Sequence, residues 1–529
     1  MLPRLALPPS PLVLVLLALA FALPGLPGHD PWKSFDAIAI EIAHQMHVTG
    51  DWVVPRVAGQ PWLDDPPLYH WLALAFGKLL GWLVPFHNGA RLASGACVLA
   101  ALWLLYRRGG AAAPLLLIGA IGFMVHSHEA LPELAGLASA CAAFALLPYD
   151  RARPMLAGAG FGAALGLCFL STGWWVPAAL ALAALLAHAI CPRWRNWRAL
   201  PFLGAAALTG VAVGAAWPWA LSARAPEVLA LWWEQAARTG GEPLANLRYF
   251  LVAASWFSWP AWPLAAWALW ARRRDWREPE LFFPAAASVL VLALLVAKGP
   301  PQTVALIALL PPLALLGAEG LQHLRRGAAA ALDWFAVMCF TFFAALVWIA
   351  YAALVLGAPQ KLAQFLARAA PGFQLPFAPL ALLLAFALML GWLYVAFFTA
   401  PSPVRGVTRW AAGVTLLWAS FALLLMPWAD HQKSYRAVAL QLRSKVPADA
   451  GCIAGQGLGA TQRAALSYHG ALETQPRERA GPTGCRLLLT QGSPADERDG
   501  PDALWAKIAD VGRPGDKAER FRLYRLEAR

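Results

Sequence analysis

Charge is what this sequence has least of: only 13% of its 529 residues are Asp, Glu, Lys or Arg. A soluble chain carries about 25%, so this one cannot cover a water-facing surface of its own size. No Cys/His spacing matches a zinc site. Gly455, Gly457 and Gly459 cluster near the C-terminus, but no Walker pattern or following phosphate Lys accompanies them, so they read as a tight turn. No internal repeat and no pair of interrupted apolar runs is evident, which argues against a transporter of inverted-repeat type. Cysteines number seven. Cys97, Cys141, Cys168 and Cys339 fall in apolar runs and Cys191 beside one, as small packing residues. Cys452 and Cys485 are alone in the polar tail and can pair if that tail meets an oxidising compartment.

What the chain does have is apolar length. Hydrophobic residues make up 60% of it, and from Pro11 to Met426 long apolar runs recur near the ~20 residues that cross a bilayer. About thirteen spans are expected: 9–27, 89–106, 112–126, 131–148, 155–171, 174–191, 200–220, 249–271, 281–297, 302–319, 333–357, 374–399 and 408–428. No convincing Ala-x-Ala site follows Leu12 to Leu26, so the first run reads as a retained helix. The net charge of +13 is a topology signal and no indication of nucleic acid. Arg107/Arg108, Arg151/Arg153, Arg193/Arg195/Arg198, Arg272/Arg273/Arg274/Arg277, Arg325/Arg326 and Arg405/Arg409 alternate with short loops, such as 126–129 and 171–173, that lack Lys and Arg. By the positive-inside rule the N-terminus is cytoplasmic and everything after Trp428 is periplasmic. The expected layout is an all-α polytopic membrane domain over 1–428 and a small periplasmic α/β domain over 429–529, in the inner membrane. In the tail, 434–446 and 461–468 read as helices, and 452–454, 487–490, 508–511 and 520–526 as strands.

Candidate chemistry gathers in the long first loop, 28–88. It holds Asp30, Asp36, Glu41, Asp51, Asp64 and Asp65 against Lys33, Arg56 and Lys78, and acidic residues set against a membrane are costly and usually functional. Asp64-Asp65-Pro66-Pro67 is a rigid acidic corner. Asp36, Asp64 and Asp65 offer oxygen ligands for a divalent cation, though no cofactor is required by the pattern. Glu133 opens the fourth span beside His126, His128 and Glu129. It is either a carboxylate stabilised at a helix N-terminus or a second site acid. Arg91 is an interfacial anchor or an anion ligand, and Lys298 a snorkelling side chain or a phosphate ligand.

One resemblance ties these residues together. Asp30-Pro31-Trp32-Lys33, Met46, Gly50-Asp51-Trp52-Val53-Val54-Pro55, Gly59 and Pro66-Pro67-Leu68-Tyr69 resemble in order and spacing the first loop of the bacterial GT-C glycosyltransferases, which include lipid A aminoarabinose transferases and relatives of protein mannosyltransferases. The likeness continues through Arg91, Trp217-Pro218-Trp219, Pro311-Pro312 and Pro427-Trp428. It implies an inverting transfer of sugar from a polyprenyl-phosphate carrier to an envelope acceptor: a lipid A-like lipid, a glycan or a protein. It places Asp36 as first choice for general base, with Glu133 in support. Substrate contacts are expected from Lys33, Arg56, Asp64, Asp65, Pro66, Pro67, Arg91, His128, Lys298 and Gln302. The sequence departs from the family at Phe35, where an Asp is expected, at Asp65 and Thr172, where Lys is expected, and at Gln302 and Ala305, in place of a basic residue and a Tyr. Those departures leave a catalytically degenerate, lipid- or partner-binding homologue as the alternative reading.

Overall fold

The computed structural model describes residues 10–147, 153–197, 199–447, 450–476, 484–494, 501 and 504–527; Arg151 and Arg198 lie outside them. Among the described residues, eight helices are long and apolar enough to cross a membrane, including Phe86–Gly109, Pro154–Thr172, Pro279–Lys298 and Arg405–Leu424. Shorter apolar helices, Pro11–Ala22, Leu68–Leu80, Pro132–Leu146 and Trp175–Ile190, pack among them.

Several expected spans are interrupted. The run 112–126 is divided into Ala112–Ile118 and Ile121–His126. Trp410 fills the break and donates its indole N–H to the Gly119 carbonyl at 2.8 Å. The run 249–271 is likewise divided, between Pro243–Phe257 and Ala261–Ala271, and 302–319 opens as the 3-10 helix Thr303–Leu309. Apolar composition alone does not register such breaks, because the flanking residues stay hydrophobic on both sides.

Close helix approach is specified by glycine. Gly158, Gly162 and Gly166 recur every fourth residue of Pro154–Thr172 and form one face against Ala199–Gly214. A Cβ at Gly162 would stand 2.1 Å from the Ala206 carbonyl oxygen, and one at Gly158 would stand 2.2 Å from that of Phe202. Backbone contact of this kind is the main source of cohesion where no water drives helices together. Gly162→Ala should therefore force these helices apart and lower the melting temperature of the detergent-purified protein by several degrees. An unchanged melting temperature would show that the contact is dispensable.

The first loop folds as helix Ser34–Thr49, the hairpin Arg56–Val57/Gln60–Pro61 and helix Leu68–Leu80. Gly50, at φ 72°, closes the first helix by donating to the Met46 carbonyl. By sequence, 35–46 is a helix with its apolar residues on one face, as expected of a helix lying along the membrane. In the structure Ser34–Thr49 is buried on several sides, including Asp36, Glu41 and Met46, because helices Leu68–Leu80 and Phe86–Gly109 pack on it and the tail helix Ala460–Gly470 covers it.

The tail sheet runs in the order Thr474–Pro476, Ile453–Gln456, Leu487–Gly492, Arg520–Leu526, Trp505–Val511, parallel for the first three strands and antiparallel beyond. Helices Arg436–Arg443 and Ala460–Gly470 enclose a core of Val438, Leu442, Leu466, Leu489 and Phe521. Strand Thr474–Pro476, next to a helix end and closed by proline, was not anticipated. Cys452 and Cys485 are joined by a disulfide with their Cα atoms 5.1 Å apart. The tail is tied to the first loop by Asp30, whose N–H donates to Asp430 at 2.9 Å and whose carboxylate accepts from Ser434 at 2.7 Å.

Candidate active site

A cavity of about 570 Å³ opens where the first loop meets the helix bundle. Its walls come from six separate parts of the chain. The first loop supplies Phe35, Trp62, Asp64 and Asp65; Glu133 and Thr172 come from the ends of neighbouring helices. Trp174 and Trp175 stack on each other with centroids 3.8 Å apart. Helix Pro226–Ala237 of the second loop contributes Trp232 and Gln235, and Lys298 and Gln302 close the far side. A narrow recess of about 50 Å³ shares this lining and is bounded by Asp65, Glu133, Thr172 and Lys298.

Local chemistry explains why these side chains converge. Pro132 starts helix Pro132–Leu146 and leaves Glu133 in its first turn. Lys298 is the last residue of helix Pro279–Lys298, so its stem extends from the bundle to the cavity mouth. Gln235 donates to Asp64, and Trp174 Nε1 donates to the Ala236 carbonyl at 2.9 Å. Trp217 Nε1 donates to the Val53 carbonyl at 2.8 Å. The first two bonds fasten helix Pro226–Ala237 over the cavity, and the third ties helix Ala216–Arg224 to the first loop.

The remaining expected residues lie elsewhere. Asp36 is fully buried, and its two oxygens receive Arg91 Nε and Nη2, each at 2.8 Å. The Ala130 N–H adds a third bond at 2.9 Å. Burial raises the Asp36 pKa, but the Arg91 charge and hydrogen bonds outweigh it and hold the carboxyl below its usual range. A carboxylate so fully engaged does not face the cavity as a proton acceptor. Arg91, whose Nη1 also donates to the His29 carbonyl at 2.8 Å, is equally committed and is neither a surface anchor nor an exposed anion ligand. Lys33 pairs with Glu129 at 2.8 Å. His128 is buried, hydrogen-bonded to the Phe21 carbonyl and stacked on Trp418. Arg56 lies in the hairpin, where it donates to the Gly59 carbonyl. Pro66 and Pro67 are buried and turn the chain into helix Leu68–Leu80. The cation set proposed from sequence is not assembled: Asp36 is separated from Asp64 and Asp65 by its pairing, and no group of three metal-capable side chains occurs among the described residues.

What the sequence did not single out is the aromatic wall. Trp62, the adjacent Trp174 and Trp175, and Trp232 come from three stretches whose only shared signal is the unusual total of 27 tryptophans. Trp62 and Trp174 keep part of their rings accessible beside the polar floor, while Trp175 and Trp232 are buried behind them as the backing of the wall.

No protein-family model matches the chain. Over 232 residues it is 29% identical to an undecaprenyl phosphate-alpha-4-amino-4-deoxy-L-arabinose arabinosyl transferase of Pseudomonas fluorescens, a match covering 41% of this chain and only 38% of that relative. A protein of the same description from Pseudomonas savastanoi pv. phaseolicola is 28% identical over 441 residues, 78% of this chain and 76% of the relative. The matched stretch thus spans less than two thirds of the first relative's length and about three quarters of the second's. The crystal structure of ArnT from Cupriavidus metallidurans bound to undecaprenyl phosphate has a TM-score of 0.71, covering 97% of each chain at 18% identity. The chain has the fold of that ArnT structure, the GT-C fold. It is a multi-pass membrane protein similar in sequence to the aminoarabinose transferases, with the cavity between its first loop and its helix bundle.

Proposed function

We propose that this protein is an inverting glycosyltransferase that moves a sugar from a polyprenyl-phosphate carrier to an envelope acceptor at the periplasmic face of the inner membrane. The observation carrying this reading is the cavity itself, which sets Glu133 and Lys298 together against four tryptophans beneath the first loop. The base role passes from Asp36 to Glu133, whose Oε2 is buried without a hydrogen-bond partner. Glu133 would accept the acceptor's proton. Lys298 would stabilise charge on the departing phosphate. The periplasmic placement is supported by the alternation of basic loops and by the Cys452–Cys485 disulfide, since such bonds persist in oxidising compartments. A transporter is disfavoured by the absence of a repeat, and the paired carboxylates lining the recess speak against a degenerate homologue.

The test is transfer by the purified protein in lipid, with undecaprenyl-phosphate sugars as donors and envelope lipid and glycan fractions as acceptors. Transfer is expected with at least one donor, matched by a missing mass increment in the envelope lipids or glycans of a deletion strain. Absence of transfer from every donor, together with unchanged envelope spectra, would reject the reading.

A further inference from the structure

The recess poses a charge problem. Asp64, Asp65 and Glu133 all line the cavity; among the described residues Lys298 is the cation whose charge acts on all three, with Arg238 also in the lining. A departing phosphate would meet carboxylates where the resembling family offers a cation. We propose that Asp65 is a second catalytic residue, carrying a proton that it donates to the departing phosphate while Glu133 takes the proton of the acceptor. This rests on the glycosyltransferase reading above and deepens it.

Geometry carries the inference. Asp65 and Glu133 border the same narrow recess. Neither forms an ion pair among the described residues: Asp65 Oδ2 accepts only from Trp62 Nε1 at 3.3 Å, and Glu133 Oε2 has no hydrogen-bond partner. Asp64 is separately held by Gln235. Two half-buried carboxyl groups bordering one recess repel each other when both are ionised, which favours a proton on one of them. Burial, followed by the charges of Glu133 and Asp64, accordingly pushes Asp65 up to about 8. The other charged or titratable groups facing the pair are Lys298 and, behind Glu133, His126 and Glu129.

The step balances. The acceptor oxygen bonds to the anomeric carbon as the bond from that carbon to the phosphate oxygen breaks, and the electron pair stays on phosphate. Glu133 receives the acceptor's proton and Asp65 gives its own to the phosphate, which leaves as a monoanion. The pair therefore holds one proton before and after transfer, and a shift from Glu133 to Asp65 resets it. A protonated Asp65 attracts the phosphate that an ionised one would repel.

The test is the binding of undecaprenyl phosphate to the full-length protein in nanodiscs between pH ~7.5 and ~9.5, where the phosphate stays a dianion and lysine, with a pKa near ~10.4, stays mostly protonated. Wild-type affinity should fall about tenfold per pH unit above ~8. D65N keeps a hydrogen-bond donor that does not titrate, so its affinity should change less than about twofold over the range. Wild-type affinity that is flat over the range would overturn the proposal, as would a fall in D65N as steep as in wild type. If D65N does not fold, the wild-type profile decides alone. No binding by wild type at any pH would remove the polyprenyl-phosphate reading itself, a result distinct from flat binding.

Discussion

Replacing Glu133 by glutamine should lower kcat for sugar transfer by more than ~10²-fold while leaving the fold intact. The amide matches the carboxyl in size and keeps the side chain in the first turn of Pro132–Leu146, so proton acceptance is lost together with the charge that helps keep Asp65 protonated. The fall in kcat reports the first loss, because an interaction made only as the acceptor attacks contributes nothing to ground-state binding, and any fall in affinity for undecaprenyl phosphate reports the second. Turnover within a few-fold of wild type would eliminate Glu133 as the base. Asp36→Asn serves as the contrast. Its expected effect is on stability, with residual activity in proportion to the folded fraction.

The second large effect concerns Arg91. Arg91→Ala leaves Asp36 as an uncompensated carboxylate in a site with no solvent exposure on either partner. Removing one member of a buried pair costs roughly 3–5 kcal/mol. The expected result is a marked loss of monodisperse protein on detergent extraction and a large drop in melting temperature. Arg91→Lys should rescue only partly, since an ammonium cannot reproduce the two parallel bonds that the guanidinium makes to Asp36. The pair also sets a pH dependence. Because the folded Asp36 pKa is depressed, its stabilisation is fully present above the unfolded value near ~3.9 and is lost as pH falls through the lower folded value. Melting temperatures of Arg91→Ala equal to those of wild type would show that the pair contributes nothing.

Much of the fold follows from local pattern. The tail element 487–490 is readable as a short continuous apolar run before turn residues, and 520–526 as an alternation of Phe521 and Leu523 with arginines; both appear as strands, Leu487–Gly492 and Arg520–Leu526. The site was only half readable. Asp64, Asp65, Glu133, Lys298 and Gln302 do converge on one cavity. Asp36 looked equally suitable, since its neighbours in sequence give no hint that Arg91, 55 residues away, occupies both its oxygens. Phe35 was noted as a departure, yet it is this residue that faces the cavity. A one-residue step along a helix turns the side chain by about 100°, enough to exchange a buried ion pair for a cavity wall. In sequence the 27 tryptophans fit interfacial anchors near helix ends, where membrane proteins place many, and only the assembled loops show which of them line the cavity.

The contacts between Asp30 and Asp430, and between Asp30 and Ser434, join residues 400 and 404 positions apart. Helix Ser34–Thr49, which carries Phe35 into the cavity, is made long before its cover, helix Ala460–Gly470. During synthesis the first loop therefore waits, with Glu41 and its other tail-facing groups uncovered, until the tail has emerged. The first loop is finished only after the membrane helices between it and the tail, and a product cut short before helix Ala460–Gly470 would lack its cover.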